Sequence, residues 1–502
     1  MIRRVARAFV LFLLPLAVCL WSPSHAETFP GEDSLMQHLN GKDLSTYIEL
    51  KFLMNPYQMK QYLTLPSSRA RGKWVERFWL ELDPTPTTEA NERRLEYEQR
   101  LAAARRLFPS QKAPGWDDRG DFMVRYGPPD AQMKVEGDVT PVAGVVPPKV
   151  VWSYSMPPMV ITFEDTDLIG EYHYVLEPSR FSYRLPGPNN VPENIDYTSK
   201  TGATPAVAME SSSGDSPFSS SKLMDYLEKT PAIFSCDLNR DRIPLYFDVA
   251  RFKGRGQSVR AEVNFEVPAQ GVRFVPKEGR HAGEVEFRVL VRDFKMKKVT
   301  SAHSVMTPVA SDSLPGSRLL PAQVVVQLPP GYYHLGLEAY DRISGRRGTS
   351  TANLEVVPFE TSPAISDIEF ASSIGEAEEN PRFLKGNLRV VPHALRAYRK
   401  PFPVTFYFEI YGLATDARGL AFYRIEYRID PLEKKRWGPV LQDAQTNISS
   451  TFEASGYGST QPQRLSIATE NLWKGKFNLI VTVTDRATFR TASRSGRFTI
   501  LE

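Results

Sequence analysis

The sequence predicts an α+β N-terminal domain, helices first and then a small antiparallel sheet, followed by two all-β sandwich modules. Three observations carry this. Apolar residues recur at helical spacing between Leu44 and Phe108, they alternate in short runs beyond Pro109, and the C-terminal part holds an internal repeat with an offset of 144 residues. The period of the apolar pattern, about 3.6 against 2, separates helix from strand.

The first element is an export signal. Arg3, Arg4 and Arg7 precede an apolar run from Ala8 to Trp21 and then Ser24, His25 and Ala26, the charged, apolar and small-residue parts of a secretory signal peptide. The run is shorter than the roughly 18 to 20 residues of a spanning helix, and Pro15 interrupts it. Cleavage after Ala26 and export to the periplasm or cell surface are the expectation. An uncleaved anchor and a lipoprotein processed at Cys19 are the alternatives. Removal of residues 1–26 leaves 59 basic residues of the 62 against 58 acidic ones. Such a near-neutral chain lacks the basic surplus that phosphate binding needs, so nucleic acid is not the expected partner. No other segment is apolar enough to span a membrane as a helix.

Of the two cysteines, only Cys236 remains after processing. No intramolecular disulfide is then expected, and burial of Cys236 is favoured over pairing with another chain. The length implies roughly three domains.

Within the helical block, Trp74, Val75, Phe78, Trp79 and Leu82 share one face. Asp83, Pro84, Thr85 and Pro86 end that helix. Thr87 or Thr88 then caps the next, with Glu89 and Glu92 in its first turn and Ala90, Tyr97, Leu101, Ala104 and Phe108 as its inward stripe. The charges between them read as a solvated face. In GWDDRGDFMVRYGPPD, Gly115–Asp130, the residues Phe122, Val124 and Tyr126 alternate with Asp121, Met123 and Arg125. That reads as a strand stopped by Gly127, Pro128 and Pro129. Val150–Tyr154, Met159–Phe163 and Tyr172–Leu176 read as further strands.

Residues 178–230 are rich in Pro, Ser, Gly and Asn, with SSSGDSPFSSS at Ser211–Ser221 as the extreme. They read as a flexible linker across which domains move, with a short helix around Leu223–Leu227. The repeat follows. PGYYHLGLEAYDRISGRRGTSTANLEV, ending at Val356, aligns without a gap on KGKFNLIVTVTDRATFRTASRSGRFTI, ending at Ile500. Gly331 matches Gly475, Asp341 and Arg342 match Asp485 and Arg486, and Arg346 matches Arg490. Each copy reads as a strand, a polar turn and an outgoing strand, the C-terminal hairpin of a β-sandwich. Ala261–Val267 and Val404–Tyr411 supply upstream strands. The modules are placed at 231–358 and 359–502, after an N-terminal domain at 27–177.

The sandwiches resemble the immunoglobulin-like or fibronectin-like modules of bacterial surface and periplasmic proteins, without the Cys, Trp, Cys spacing of true immunoglobulin domains. The aspartate and arginine pairs of the repeat then serve the hairpin turns. Between Leu44 and Leu176 the combination of Trp79, Asp83, Pro84, Thr85, Pro86, Asn91, Glu92, Tyr97, Gly115, Trp116, Asp118, Arg119, Gly120, Tyr126, Gly127, Pro128, Pro129 and Asp130 resembles the GWxTD domain of bacterial exported proteins. Where that family's name implies x, Thr, Asp after the tryptophan, this chain has only Asp117 and Asp118 before Arg119.

No catalytic, metal or cofactor residue set is assigned. Asp117, Asp118, Asp121, Asp130, Glu164, Asp165 and Asp167 form an acidic concentration that admits a divalent cation or paired carboxylates if its segments converge. The structural alternative makes Trp116 a core anchor and Asp118 with Arg119 the makers of a turn. Asp237, Asn239, Asp241 and Asp248 match a calcium-loop spacing, but Arg242 stands where that loop needs Gly. The histidines His38, His173, His281, His303, His334 and His393 are scattered, and no zinc-hydrolase, P-loop or serine-hydrolase motif occurs. The leading expectation is a non-catalytic cell-envelope protein that associates with other envelope proteins or with itself through the GWxTD-like domain, the sandwiches acting as spacers or adhesion modules. The alternatives are a carboxylate-dependent hydrolase or carbohydrate-active enzyme using the acidic cluster, and a cation- or small-ligand-binding module.

Overall fold

The structure is a computed structural model that describes residues 29–140, 144–155, 158–175, 195–199, 242–310, 318–377, 382–432, 436–437, 440–441 and 448–501. The signal-peptide stretch, both cysteines, the Ser211–Ser221 run, the expected helix at Leu223–Leu227 and Asp237, Asn239 and Asp241 lie outside these. The chain divides into two compact units, Met1–Gly72 with Ala103–Ile233, and Lys73–Ala102 with Phe234–Glu502. Lys73–Ala102, which periodicity placed in the N-terminal domain, thus groups with the sandwiches. The architecture is an α+β N-terminus followed by β-sandwich modules.

In the first unit, α1 (Glu32–Met36), α2 (Gly41–Leu50), α3 (Pro56–Thr64) and α6 (Asp118–Tyr126) are complete, while α4 (Ser68–Glu81) and α5 (Glu92–Leu107) contribute one end each. Their starts are written locally. Asn40 caps α2 by accepting from Asp43 N–H, and Asn55 with Gln58 forms a capping box ahead of Pro56 on α3. The sheet is antiparallel, in the order His173–Val175, Pro158–Glu164, Lys149–Ser155, Ala131–Val135 and Ile195–Ser199. The last of these strands lies within the stretch expected to be linker. Its β-branched and aromatic residues, Ile195, Tyr197 and Thr198, favour a strand.

One expected strand is a helix. Phe122–Tyr126 belongs to α6, whose start and stop are both marked: Asp117 is the N-cap, Asp118 and Asp121 lie in the first turn, and Gly127, at φ 77°, donates its N–H to Met123 O. Phe122, Met123, Val124 and Tyr126 are all buried. A short helix covered on most sides mimics strand alternation. Phe122 and Tyr126, one turn apart, pack on Val150, Trp152, Tyr154, Met159, Ile161 and Phe163 of the sheet.

In the second unit, the first sandwich pairs a four-stranded sheet (Lys298–Met306, Val285–Asp293, Gly331–Asp341, Arg347–Val356) with a three-stranded one (Leu319–Leu328, Val259–Pro268, Tyr246–Lys253). Val263, Phe265, Phe287, Val324 and Leu337 are among its buried core. The second sandwich is built from a sheet around Val404–Tyr411 and one in the order Ala397–Arg399, Thr491–Leu501, Gly475–Asp485, Leu420–Pro431, Ile448–Tyr457, with Phe406, Ile425, Val481 and Phe498 in the core. The hairpin repeat is exact in register: Gly331 faces Val356, and Gly475 faces Ile500.

The two sandwiches are joined directly. In Val259–Pro268 both faces are buried: Ala261, Val263, Phe265 and Val267 in the sandwich core, and Glu262, Asn264 and Glu266 on the other side. His393 of the second sandwich reaches Glu266 (2.9 Å), Arg251 reaches Asp367 (2.6 Å), Arg260 reaches Glu409 (3.1 Å), and Arg396 pairs with Asp248. Phe252, Ala371, Val390 and Tyr407 add an apolar contact. Asp248, read as part of a calcium-loop spacing, is therefore on the strand Tyr246–Lys253 and bound to an arginine.

Candidate functional site

The Gly115–Asp130 signature builds a bracket between α6 and the segment 165–174. Trp116 is buried, and its indole N–H donates to Asp121 (2.9 Å). Gly120 lies one turn on, where an added Cβ would fall 2.1 Å from Trp116 Cδ1. The glycine is required by the ring and not by backbone conformation. The side chain of Asp117 is wholly buried and accepts from the N–H groups of Arg119 (3.0 Å) and Tyr172 (3.0 Å) and from the Arg119 guanidinium (2.6 Å). Asp118 accepts from Tyr174 N–H (3.0 Å), with His173 Nδ1 3.6 Å away. Arg119 is stacked between Phe108 and Tyr172, its guanidinium carbon 4.8 and 3.9 Å from the ring centres, and donates to Gly170 O.

Three further acids of the cluster are also engaged by groups of the fold. Asp165 accepts from Ile169 and Gly170 N–H, Asp130 from Ser155 N–H and hydroxyl, and buried Glu164 pairs with Lys149 at 2.9 Å. Asp167 is exposed. The segments do converge, but the carboxylates point at donors of the fold and not at a common centre. Among the described residues, no group of three or more His, Cys, Asp or Glu is placed to hold a metal ion. Beside the bracket lies a cleft of about 530 Å³ whose lining includes Phe108, Arg119, Pro128, Asp130, Lys134 and Trp152.

The remaining signature residues belong to the other unit. Trp79 packs on Tyr97 (5.9 Å between ring centres). Asn91, and neither Thr87 nor Thr88, caps α5: its side chain accepts from Arg94 N–H (2.9 Å), and Glu92 is the first helical residue. Ala90 is exposed, whereas Tyr97, Leu101 and Ala104 are buried as expected. The Asp83–Pro86 loop docks on the strand Gly331–Asp341. A Cβ on Gly336 would lie 2.7 Å from Pro86, and Thr87 donates to fully buried Glu338 (2.6 Å). Burial pushes Asp83 up to about 6 and Glu92 adds to the rise, while Thr85 N–H and Arg292 pull it down.

The repeat aspartates act as turn braces, as expected. Asp341 accepts from the N–H groups of Ile343 and Ser344 within its hairpin and of Arg273 outside it; Asp485 accepts from Ala487, Thr488 and Ala414. Asp485 is held below the usual carboxylate range, because these N–H donors outweigh the burial that would raise it.

The polar set that the sequence did not announce lies between the sandwiches. Lys385, Glu262, Glu369 and Asn264 are all buried there, and the Lys385 Nζ sits 3.7 Å from the centre of the Phe252 ring. No periodicity marks it, because Glu262 and Asn264 occupy the face of their strand that alternation assigns to solvent. No protein-family model matches the chain, and no curated protein sequence matches it.

Proposed function

We propose that this is an exported, non-catalytic cell-envelope protein of the GWxTD-like kind, which works by association with other envelope proteins or with a second copy of itself. The observation that carries this reading is the engagement of the signature carboxylates. A general acid, base or cation ligand needs free lone pairs aimed at a shared point, and Asp117, Asp118 and Asp165 instead accept backbone N–H groups that hold the 165–174 segment. The directly joined sandwiches support a stiff platform more than two separate spacers.

The test compares residues 27–502 with the variant Asp118→Ala, Arg119→Ala, both shown to be folded. Each is cross-linked in native envelope and also assayed on glycan, ester and peptide substrates. A discrete cross-linked species that the variant loses, without turnover, is the expected result. Turnover abolished by Asp118→Asn at unchanged unfolding midpoint would replace this reading with the hydrolase one.

A further inference from the structure

The buried polar set between the sandwiches has the parts of an acyl-transfer centre. Glu369 is fully buried and touches two potential reactants at once: its Oε1 accepts from Asn264 Nδ2 at 3.0 Å, and its Oε2 lies 2.7 Å from Lys385 Nζ, at ion-pair distance but off the angle of a hydrogen bond. Lys385 Nζ donates to Glu262 at 2.6 Å. The carbonyl oxygen of Asn264 accepts from Gln323 Nε2 at 2.9 Å. One carboxylate thus bridges an amine and a carboxamide, and an amide N–H already lies on the oxygen where negative charge would develop. Phe252 and Tyr407 flank the lysine, with ring centres 3.7 and 5.1 Å from Nζ.

We infer that Lys385 and Asn264 form an intramolecular amide cross-link between the two sandwiches, with Glu369 as the proton carrier. This inference stands independently of the reading proposed above. Glu369 takes a proton from the Lys385 ammonium, and the freed amine attacks Asn264 Cγ. The Nζ–Cγ bond forms, and the charge on Oδ1 is stabilised by Gln323. Glu369 relays a proton from the attacking nitrogen to Nδ2, the Cγ–Nδ2 bond breaks, and ammonia leaves and is protonated to ammonium. Carboxamide and ammonium become substituted amide and ammonium ion, with no oxidant or co-reactant. Holding both reactants on one carboxylate in a buried site converts a bimolecular reaction into a local one. A carboxyl able to carry a proton near neutrality suits the role: burial pushes Glu369 up to about 7, Glu262 adds to the rise, and Lys385 pulls it down.

The experiment is intact mass spectrometry of residues 27–502, purified folded and then denatured, followed by peptide mapping. The expected mass is below the sequence mass by one ammonia, about 17 Da, with one branched peptide joining Val259–Pro268 to the segment carrying Lys385. Lys385→Met, Asn264→Ala and Glu369→Gln should each return the full sequence mass. Glu369→Gln keeps volume and a hydrogen-bonding amide, so it separates loss of the proton carrier from loss of the fold. Wild-type protein that unfolds cooperatively yet shows the full sequence mass overturns the inference and leaves an ion pair only. Equally, a 17 Da deficit that maps elsewhere or survives Asn264→Ala overturns it.

Discussion

Asp117 and Asp165 near Trp116 and Glu262 and Glu369 near Lys385 are all buried, yet they face different donors. Asp117, Asp118 and Asp165 accept from backbone N–H groups, and Asp117 also from the Arg119 guanidinium, donors that are fixed in place and are not nucleophiles. Glu262 and Glu369 face an ammonium, and Glu369 also holds a carboxamide. Burial alone therefore does not mark a reactive carboxylate. What it is hydrogen-bonded to decides whether its lone pairs brace a loop or move a proton. The two repeat hairpins show the bracing role twice, since Asp341 and Asp485 each hold their own turn and one N–H beyond it.

The comparison breaks most sharply at Gly120. Gly120→Leu forces a Cβ into the Trp116 ring and should cost more than about 3 kcal/mol, read as a fall in the urea midpoint of tryptophan fluorescence; a wild-type midpoint would refute the packing account. Asp117→Ala leaves Arg119 and Tyr172 N–H without their shared acceptor. It should cost about 3 kcal/mol and speed hydrogen exchange at residues 170–174, and protection there at the wild-type level would count against the bracket.

Asp341→Ala and Asp485→Ala should each cost about 2 kcal/mol, because buried N–H donors lose their acceptor. Asp485 adds a pH signature. Its folded-state affinity for protons is lowered, so its contribution is present above pH 4 and lost as the pH falls through the folded value. Unfolding curves between pH 5 and about 2 should show a shallower decline in Asp485→Asn than in wild type. Asp83 has the opposite sign. Its folded-state value is raised to about 6, the folded protein binds the proton more tightly, and its contribution weakens as pH rises from about 4 to 6. Asp83→Asn should remove that slope, about 1 kcal/mol across the window; an unchanged slope would place the titration elsewhere.

Much of the scaffold was legible because its signals are local. Gly331 and Gly475, Asp341 and Asp485, and the strands between them recur at one spacing, and the two hairpins follow. At α6 the apolar period misled. Four of its nine residues are large and buried, which blurs period 3.6 into period 2, and Gly127, read as a strand stop, ends a helix that Asp117 caps. The signature residues were recognisable by type, but their division between the two units was not. That Pro86 and Thr87 dock on Gly336 and Glu338 depends on positions some 250 residues away along the chain.

By itself the sequence determined the fold class, the hairpin repeat and which face of each strand carries apolar side chains, since those depend on side-chain period and turn chemistry within a few residues. Only the tertiary structure decided that the face carrying Glu262, Asn264 and Glu266 is not solvated. Alternation tells polar from apolar, but whether a polar face meets water or a partner depends on what packs against it. Here that is Glu369, Lys385 and His393, more than a hundred residues further along the chain.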